Sequence, residues 1–542
     1  MEWLPLSASN LFGAAEKQPR LWKHLILLII IVVAVTVIYG NVTRAYFCAY
    51  DDFDNLHQTV FEDAYQPALI PITSHFNSYK YRPLHRLINL FTNFLADGDP
   101  AVFRIRNLVF HLLNAMLVYA LGWLLFKSVS VSTAGALLFG LHPLANQSVI
   151  GAIWTNTVAH TGFLLALVMF IASTRAKRFW SLWLIGALIS ASLSLFTYDS
   201  EIVVFGLMCV YLVAHCFIRQ ERFIGWRFVF LFATLSGILL GSYFLLRRLF
   251  VPNGWIQVTA NLPSTAVIGK NAAMYVLALL SPLDPVLADE WLGTPLPSEI
   301  VLDAFTVMTL VALALGFVLA LAVFIWRWTK HHSLALRDTD WAAVMFLLCG
   351  IAAPLLPVLL FGSRPSETYV YLPVAFYSLL LSYTGARLLP AAWTPKSYAI
   401  CASTVLLVVG LFSAGTWIRN ERVVKCAETA HRILYGLPDK LVDGAWTVAF
   451  ANIRGEKSTR RYGFYGFRGI DTIGHDQGAD RAITHALQLV YRNKSLSGTV
   501  VNAEELSSMC SPKSASRKIC VLVHWDGRIE TCCLNSALAP VL

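Results

Sequence analysis

Charged residues are scarce in this sequence of 542 residues. Only 14% of the side chains are Asp, Glu, Lys or Arg, whereas 57% are hydrophobic and the mean hydropathy is +0.60. A soluble domain has about a quarter of its residues charged, because charged side chains keep its surface hydrated. Soluble globular and disordered classes are therefore excluded, and most of the chain is expected to face lipid.

Signatures of several common binding sites are also missing. The sequence has no zinc-type spacing of Cys and His, no glycine-rich loop that would cradle a phosphate, and no stripe of interleaved basic and aromatic residues. No nucleic-acid partner is therefore expected. The formal net charge of +10 instead indicates orientation in a membrane, because Lys and Arg accumulate in short cytoplasmic loops.

Long apolar runs are abundant. The first, Leu25 to Tyr39, follows basic residues and lacks a small-residue cleavage site, which predicts a retained anchor with a cytoplasmic N-terminus. With the later runs, the sequence predicts a polytopic α-helical membrane protein of about eleven spans. The later runs lie near residues 105–126, 130–145, 154–173, 179–197, 202–218, 228–246, 302–326, 341–361, 369–388 and 398–417.

Loop charges orient these spans. Alternation places five short, basic loops on the side of the N-terminus, as the positive-inside pattern requires. The opposite face receives two long loops, 41–104 and 247–301, together with everything after the last span. We therefore predict a membrane domain at 1–417 and an exported soluble domain at 418–542. The basic loops contain Lys127, Arg175/Lys177/Arg178, Arg219/Arg222/Arg227, Arg327/Lys330/Arg337 and Arg387/Lys396.

The C-terminal segment predicts a small α/β domain. Residues 519–533 alternate in polarity around Asp526-Gly527, a dipeptide typical of a tight hairpin turn. Residues 480–492 predict one amphipathic helix. Four of the ten cysteines fall in the last 33 residues, and an oxidising compartment would allow a disulfide between the 510/520 and 532/533 neighbourhoods. Free thiols are the alternative.

The first long exported loop carries candidate catalytic residues. Asp51 and Asp52 directly follow the first span, and paired carboxylates suit general-base chemistry, although acidic residues also solvate loop starts. A basic stretch follows, and then Leu87 to Leu95 predicts a helix lying along the membrane interface. Cations can hold a phosphate, or simply anchor lipid headgroups. The candidate phosphate-binding residues are Arg82, Lys80, His85, Arg86, Arg247 and Arg364.

Further polar residues lie near exported helix ends. Asp199 and Glu201 stand between two apolar runs with no neighbouring cation in sequence, which is costly unless they are satisfied elsewhere. With Asp51 and Asp52, Glu201 is also a candidate ligand of a divalent cation, Mg or Mn, although metal use is undecided. For the remaining candidates a structural role is the alternative to a functional one. His142 and Glu367 would then be helix-end or solvating residues, and Tyr369 and Tyr371 would belong to an aromatic belt at the membrane interface.

Three short sequence motifs follow one another along the chain: Tyr79 to Leu84, His142 to Val149, and Glu367 to Pro373. In this order, and with an acidic pair after the first span, the chain resembles the membrane part of the TMTC-type protein O-mannosyltransferases and their bacterial relatives. These belong to the GT-C superfamily of polyprenyl-phosphate-sugar glycosyltransferases. The chain departs from the family pattern at Ser200 and Thr368, where Lys and Arg are usual, and the family's tetratricopeptide tail is replaced.

The resemblance implies a GT-C-like fold and inverting transfer of a sugar from a polyprenyl-phosphate donor to an acceptor hydroxyl on the exported face. By position, Asp51 matches the catalytic base and Asp52 its partner. The expected partners are the lipid-linked donor, the bilayer, and an exported protein or glycan acceptor, with protein favoured and lipopolysaccharide as the alternative. A lipid or solute transporter or flippase, and a non-catalytic scaffold, are the rivals from other classes. The compact chain favours a bacterial inner membrane, with the C-terminal domain in the periplasm.

Overall fold

The computed structural model is mainly helical. Local sequence explains where several helices begin: Asp99 caps the helix that starts at Pro100, because its carboxylate accepts a hydrogen bond from the N–H of Ala101 at 2.9 Å. The residues that the structure describes are 21–47, 50–73, 80–176, 178–214, 225–251, 263–280, 340–360, 367–388, 395–451, 479–501, 505–506, 509, 518–523 and 529–533.

The helices follow the predicted apolar runs closely, and short 3-10 turns join many of them. In chain order they are α1 (Leu21–Tyr39), α2 (Tyr50–Gln58), α3 (Pro83–Ala96), α4 (Pro100–Phe126), α5 (Val129–Gly140), α6 (Asn146–Ile150), α7 (Asn156–Arg175), α8 (Trp180–Thr197), α9 (Val203–Val213), α10 (Trp226–Phe250), α11 (Thr265–Leu280), α12 (Trp341–Ala352), α13 (Leu356–Leu359), α14 (Tyr371–Leu388), α15 (Pro395–Tyr435) and α16 (Ala479–Tyr491).

Six helical segments of the described chain are long and apolar enough to cross a membrane. A small β-sheet follows them in sequence. The predicted fold class, a polytopic α-helical membrane protein with a small C-terminal α/β domain, is therefore confirmed. The predicted total of eleven spans stays a prediction, because the run at 302–326 lies outside the described residues. The six segments are Leu21–Arg44, Pro100–Phe126, Asn156–Arg175, Trp180–Thr197, Trp226–Phe250 and Trp341–Leu359.

Two helices extend beyond what the apolar runs predict. α15 continues without a break across the predicted domain boundary at 417/418, so the sheet begins only after Tyr435. α11 lies inside the second predicted exported loop, for which no membrane span is predicted. The side-chain amide of Asn271 on α11 donates to the carbonyl of Leu359 at 3.4 Å, which ties this helix to the end of α13.

α3 is amphipathic, as predicted for residues 87–95. One face carries His85, Arg86 and Asn89, all buried against the rest of the protein. The other face exposes Phe91 and Phe94, with 63% and 81% of their surface accessible. Such an apolar face is typical of a helix that lies in a membrane interface.

The C-terminal domain contains a four-stranded sheet in the order β2 (Ser497–Val501), β1 (Thr447–Ala451), β3 (Lys518–Val523) and β4 (Ile529–Cys533). β1 runs parallel to β2 and β3, whereas β3 and β4 pair in the antiparallel direction, as predicted for residues 519–533. The predicted helix is also present as α16. Cys520 and Cys533 are register partners on β3 and β4, and the disulfide stays a prediction.

One hydrophobic core joins this domain to the first long loop. Phe53 and Leu56 of α2 are buried in the same apolar cluster as Ile483 of α16 and Val448 of β1. The end of α15 also contributes, through Ile433 and Leu434. The sheet domain therefore packs directly on the helix that carries the candidate acidic pair.

Candidate active site

The candidate acidic pair lies on α2. Asp52 is completely buried, and one of its carboxylate oxygens accepts a hydrogen bond from the backbone N–H of Ile153 at 3.2 Å. Ile153 belongs to the irregular turn between α6 and α7, so this bond fixes α2 against the helical bundle. The backbone of Asp51 belongs to the same helix, and its side chain lies outside the described part of the structure.

His85 connects α2 and α3 to that same turn. One ring nitrogen lies 2.7 Å from the hydroxyl of Thr155, and the other lies 3.1 Å from the amide oxygen of Asn55. Asn55 stands three residues after Asp52, so the two side chains share one face of α2. Burial, followed by the charges of Arg82 and Arg106, holds the pKa of His85 well below its usual range. The lowered pKa and the two side-chain contacts favour a structural role for His85, and its role as a phosphate-binding cation stays a prediction.

Arg82 and Asp199 form an ion pair between distant parts of the sequence. The Nε of Arg82 donates to one carboxylate oxygen of Asp199 at 2.8 Å, and a second guanidinium nitrogen contacts the same oxygen. The guanidinium also lies 3.8 Å from the ring centroid of Tyr198. Burial alone would raise the pKa of Asp199, but the charge and hydrogen bonds of Arg82 outweigh it and lower that pKa. The carboxylate of Asp199 is therefore ionised. Arg82 provides the cationic partner that is missing among the sequence neighbours of Asp199.

Two other predicted cations lie near this pair. Arg247, at the end of α10, and Lys80, just before α3, both lower the pKa of Asp199 by their charge. Three predicted cations therefore act on one carboxylate at this end of the bundle. A group of cations suits an anionic ligand such as a phosphate.

Arg86 has a different position from the other predicted cations. Its Nε donates to Asp63 at 3.3 Å, another guanidinium nitrogen contacts the same carboxylate, and a third donates to the carbonyl of Thr73 at 3.1 Å. Both members of the Arg86–Asp63 pair are buried. This pair closes the first long loop on itself, so the structure favours a structural role for Arg86 over binding of phosphate.

Two further arginines, at the start of α4, were missed in the sequence. Arg104 is buried and donates to the carbonyls of Ala45 and Tyr46 at 2.9 and 2.7 Å, just ahead of α2. Arg106 donates to the carbonyls of Ala152 and Trp154 at 3.0 Å each. Both clamp the backbone around the acidic helix. Their position at the edge of a predicted span is the signal that could have identified them, because charges there need partners.

Glu201 lines a pocket at the same end of the bundle. One oxygen of its carboxylate lies 3.0 Å from the Nδ1 of His160, and both side chains are buried. Tyr198 and Tyr369 also line this pocket. His160 was missed because it occurs within an apolar run, although an ionisable residue in such a run is itself a signal of function.

The other predicted supporting residues have structural partners or lie outside the described side chains. The ring of His142 accepts a hydrogen bond from the N–H of Leu144 at 3.2 Å and so caps a short 3-10 turn. The hydroxyl of Tyr371 lies 2.7 Å from the Nδ1 of His111, and Tyr371 is fully buried, so the interface-belt alternative is wrong for this residue. The side chains that lie outside the described part are those of Arg364 and Glu367.

Two of the three family-like motifs meet in space. The amide oxygen of Gln147 accepts from the N–H of Thr368 at 3.1 Å, and the amide of Asn146 donates to the side chain of Asn420 on α15 at 2.6 Å. These bonds join the motif at 142–149 to the motif at 367–373 and to α15. Several residues of these two motifs therefore hold the helices of the bundle together around the site.

Candidate metal ligands do not cluster in the described part of the chain, where no group of three His, Cys, Asp or Glu side chains is arranged to hold an ion. Asp52 and Glu201 have separate surroundings: the first contacts the turn at Ile153 and the second contacts His160. Use of a divalent cation stays a prediction.

The C-terminal domain contacts α2 through polar groups as well as through its core. The Nδ1 of His485 lies 2.7 Å from a carboxylate oxygen of Asp54, and the ring of His485 stacks on that of His57 with centroids 3.8 Å apart. His57 in turn bonds the amide oxygen of Gln488 at 2.8 Å. The acidic helix is therefore held by the bundle on one side and by α16 on the other.

Comparison with known proteins finds one clear sequence relative. No protein-family model matches the sequence. The protein O-mannosyl-transferase TMTC3 of Homo sapiens is 25% identical to this chain over 426 residues. The predicted resemblance is confirmed. The alignment covers 70% of this chain and 45% of TMTC3, so the chain spans less than half the length of that relative.

Three solved structures are similar to the chain at low sequence identity. The apo oligosaccharyltransferase of Archaeoglobus fulgidus has a TM-score of 0.47 and 12% identity, covering 90% of this chain and 65% of its own. ArnT of Cupriavidus metallidurans bound to undecaprenyl phosphate has a TM-score of 0.43 and 11% identity, covering 93% and 94%. The arabinofuranosyltransferase AftD from Mycobacteria has a TM-score of 0.45 and 12% identity, covering 80% and 30%.

Proposed function

We propose that this chain is an inverting glycosyltransferase that moves a sugar from a polyprenyl-phosphate donor to a hydroxyl acceptor at the extracytoplasmic face of a membrane. The observation that carries the proposal is the meeting of the acidic helix and the cationic cluster. Asp52 binds the backbone at Ile153, while His85, three residues after Arg82, binds Thr155 in the same turn. One short turn therefore sets the position of the acidic helix relative to the cations.

The cations serve the leaving group. When the bond between the anomeric carbon and the phosphate oxygen breaks, the phosphate leaves with its bonding electrons and gains negative charge. Arg82, Lys80 and Arg247 all act on Asp199 through their charge, and cations in this position would stabilise that developing charge. The ion pair also fixes the orientation of Arg82, and a donor that is held in place acts without reorganisation.

The acidic pair serves the acceptor. Asp51 takes the proton from the acceptor hydroxyl as its oxygen forms the new bond to the anomeric carbon. A single displacement at that carbon inverts its configuration. Asp52, which is buried and bonded to Ile153, sets the orientation of α2 and so of Asp51. No step in this sequence needs a metal ion, and binding of Mg or Mn at the pair would add further positive charge beside the reacting oxygens.

The favoured acceptor is a hydroxyl of an exported protein. The relative TMTC3 is named a protein O-mannosyl-transferase, which supports this class. A growing lipid-linked glycan, such as lipopolysaccharide, offers the same hydroxyl chemistry and is the alternative that the acceptor experiment must separate. The location that we propose is a bacterial inner membrane, with a cytoplasmic N-terminus and a periplasmic C-terminal domain.

The test is transfer by purified protein from a polyprenyl-phosphate sugar. We expect Asp51→Asn to lower turnover by about 100- to 10,000-fold, because a general base contributes that much. Asp52→Asn should also abolish most turnover, with melting curves used to separate misplacement from unfolding. Asp443→Asn, an exposed carboxylate in the C-terminal domain, is the control that should behave like wild type. Full turnover in both Asp51→Asn and Asp52→Asn would refute the site.

Mass spectrometry distinguishes the two classes of acceptor and the rival functions. Intact-mass comparison of exported proteins and glycolipids, from cells with and without the gene, should show one sugar missing from a protein when the gene is absent. A sugar missing only from a glycolipid would select the alternative acceptor. Unchanged masses together with altered lipid distribution across the membrane would favour a transporter or flippase instead.

A further inference from the structure

A second polar site lies beside the cationic cluster and has no role in the displacement described above. It is the pocket around Glu201, which opens between the start of α7, the turn at 199–202 and the 3-10 turn that precedes α14. Its polar lining comes from side chains on all three elements. The lining includes His160, Tyr198, Ser200, Glu201, Thr368 and Tyr369.

The two ionisable groups of this pocket have unused hydrogen-bonding atoms. Glu201 and His160 expose only 2% and 5% of their side chains. Within the described part of the chain, Glu201 Oε2 and Nε2 of His160 make no hydrogen bond, and Nδ1 of His160 lies 3.0 Å from the other Glu201 oxygen without the geometry of a hydrogen bond. Buried polar atoms without partners are rare in native proteins, because they lose the hydrogen bonds that water would provide. Their concentration around one pocket indicates that a ligand supplies the partners.

The pocket is also rigidly built. The ring of His160 stacks on that of Tyr371, with centroids 4.7 Å apart and an interplanar angle of 19°. Tyr371 is itself held by Asn114, whose amide donates to the Tyr371 hydroxyl at 2.9 Å. The imidazole therefore keeps its orientation when the pocket is empty, which lowers the cost of ordering it around a ligand.

Tyr198 connects this pocket to the cations. Its ring lies 3.8 Å from the guanidinium of Arg82 and also lines the pocket with Glu201. A ligand whose phosphate contacts Arg82 would therefore present its neighbouring group to Glu201 and His160. In the donor of the proposed reaction that neighbouring group is a sugar ring.

We propose that Glu201 and His160 form the sugar-binding subsite of the donor, and this rests on the proposed function. A sugar ring carries several hydroxyls, each of which can donate to the carboxylate and bond the imidazole. Its C–H groups can pack on the aromatic walls formed by Tyr198 and Tyr369.

The experiment compares binding of two lipids, polyprenyl-phosphate mannose and unsubstituted polyprenyl phosphate, to the full-length protein in detergent. We expect Glu201→Gln and His160→Gln to weaken binding of the mannosyl lipid about 10- to 100-fold, because each removes hydrogen bonds to a charged or polar buried group. Binding of the unsubstituted lipid should stay within about twofold of wild type, since the phosphate and tail contacts are unchanged. Polyprenyl-phosphate glucose, tested in parallel, shows whether the subsite discriminates between epimers.

Two controls keep the result interpretable. Tyr369→Phe removes only a hydroxyl at the pocket wall and should weaken the mannosyl lipid less than Glu201→Gln does. Glu428→Gln, an exposed carboxylate on α15, should bind both lipids like wild type. Equal loss of both lipids in the Glu201 and His160 variants, or no loss of either sugar-bearing lipid, would overturn the subsite while wild-type transfer upholds the proposed function. Failure of wild type to bind either lipid would overturn both.

Discussion

The acidic helix α2 is held from two sides, and the two sides are built from different chemistry. On the bundle side, Asp52 accepts a hydrogen bond from Ile153, Arg104 binds backbone carbonyls ahead of the helix, and Arg82 ties the start of α3 to Asp199. On the side of the C-terminal domain, the contact depends on the stacked rings of His57 and His485.

The difference predicts two kinds of behaviour. Arginine keeps its charge at all ordinary pH values, so the arginine contacts on the bundle side should be insensitive to pH. The contact of His57 should weaken as its ring binds a proton, because docking lowers the pKa of His57, so docking of the C-terminal domain should depend on pH. The proposed catalytic residues therefore lie beside arginine contacts, whereas the C-terminal domain contacts α2 through His57, which can bind a proton.

The largest expected effect is on the bundle side. We expect Arg82→Gln to lower transfer by about 100- to 1,000-fold, because removing one preorganised donor to a developing anion typically has this effect. Arg82→Lys should recover part of the loss, since the charge returns but the planar fork of the guanidinium does not. Initial rates with a polyprenyl-phosphate sugar measure both.

The matched control for that variant is Arg432→Gln. Arg432 pairs with Glu428 at 3.7 Å on the exposed surface of α15, and such exposed pairs contribute little. Its rate should equal that of wild type. An Arg82→Gln protein with more than half of wild-type turnover would show that the cluster does not serve the donor phosphate.

A smaller effect is expected on the side of the C-terminal domain. His485→Gln removes the contact to Asp54 and leaves that buried carboxylate with one partner fewer, at a cost of about 1–3 kcal/mol. Docking of α16 on α2 should weaken, and transfer should fall about tenfold as the acidic helix loses one support. Hydrogen exchange should quicken at residues 50–58 and 479–491.

Ser495→Ala tests whether that result is specific to the contact. Ser495 is exposed in the same domain, so its variant should exchange and turn over like wild type. Faster exchange confined to α16, with unchanged exchange in α2 and unchanged transfer, would show that the domain does not support the acidic helix.

The two sides also differ in how far sequence could predict them. Apolar runs predicted the spans, and residues close to one span identified the acidic pair and Arg82, because these signals are local. The partners of those residues are not local: Arg82 and Asp199 are 117 positions apart, and Asp54 and His485 are 431 apart. Their pairing depends on how the helices pack, and no pattern in the sequence specifies that packing.

The surroundings of single residues were hidden for the same reason. Tyr371 resembles an interface aromatic in sequence, yet neighbouring helices bury it completely. His85 resembles a cation in sequence, whereas burial and the charges of Arg82 and Arg106 lower its pKa and so disfavour its charged form. In both cases distant segments supply the surroundings on which the role of the residue depends.

The smallest expected effect is the pH dependence of docking. Burial, reinforced by the charge of His485, lowers the pKa of His57 to about 4, while Asp54 acts in the opposite direction and Lys494 adds to the lowering. Undocked His57 has an ordinary pKa of about 6.5, so between these two values the undocked state binds more protons. Docking should therefore be strongest above pH 6.5, weaken as the pH falls through that window, and level off below about pH 4. Hydrogen exchange of α16 between pH 4 and pH 8, corrected for intrinsic rates, measures this. His57→Gln should flatten the profile of α16, and an unchanged pH dependence in this variant would show that His57 does not cause it.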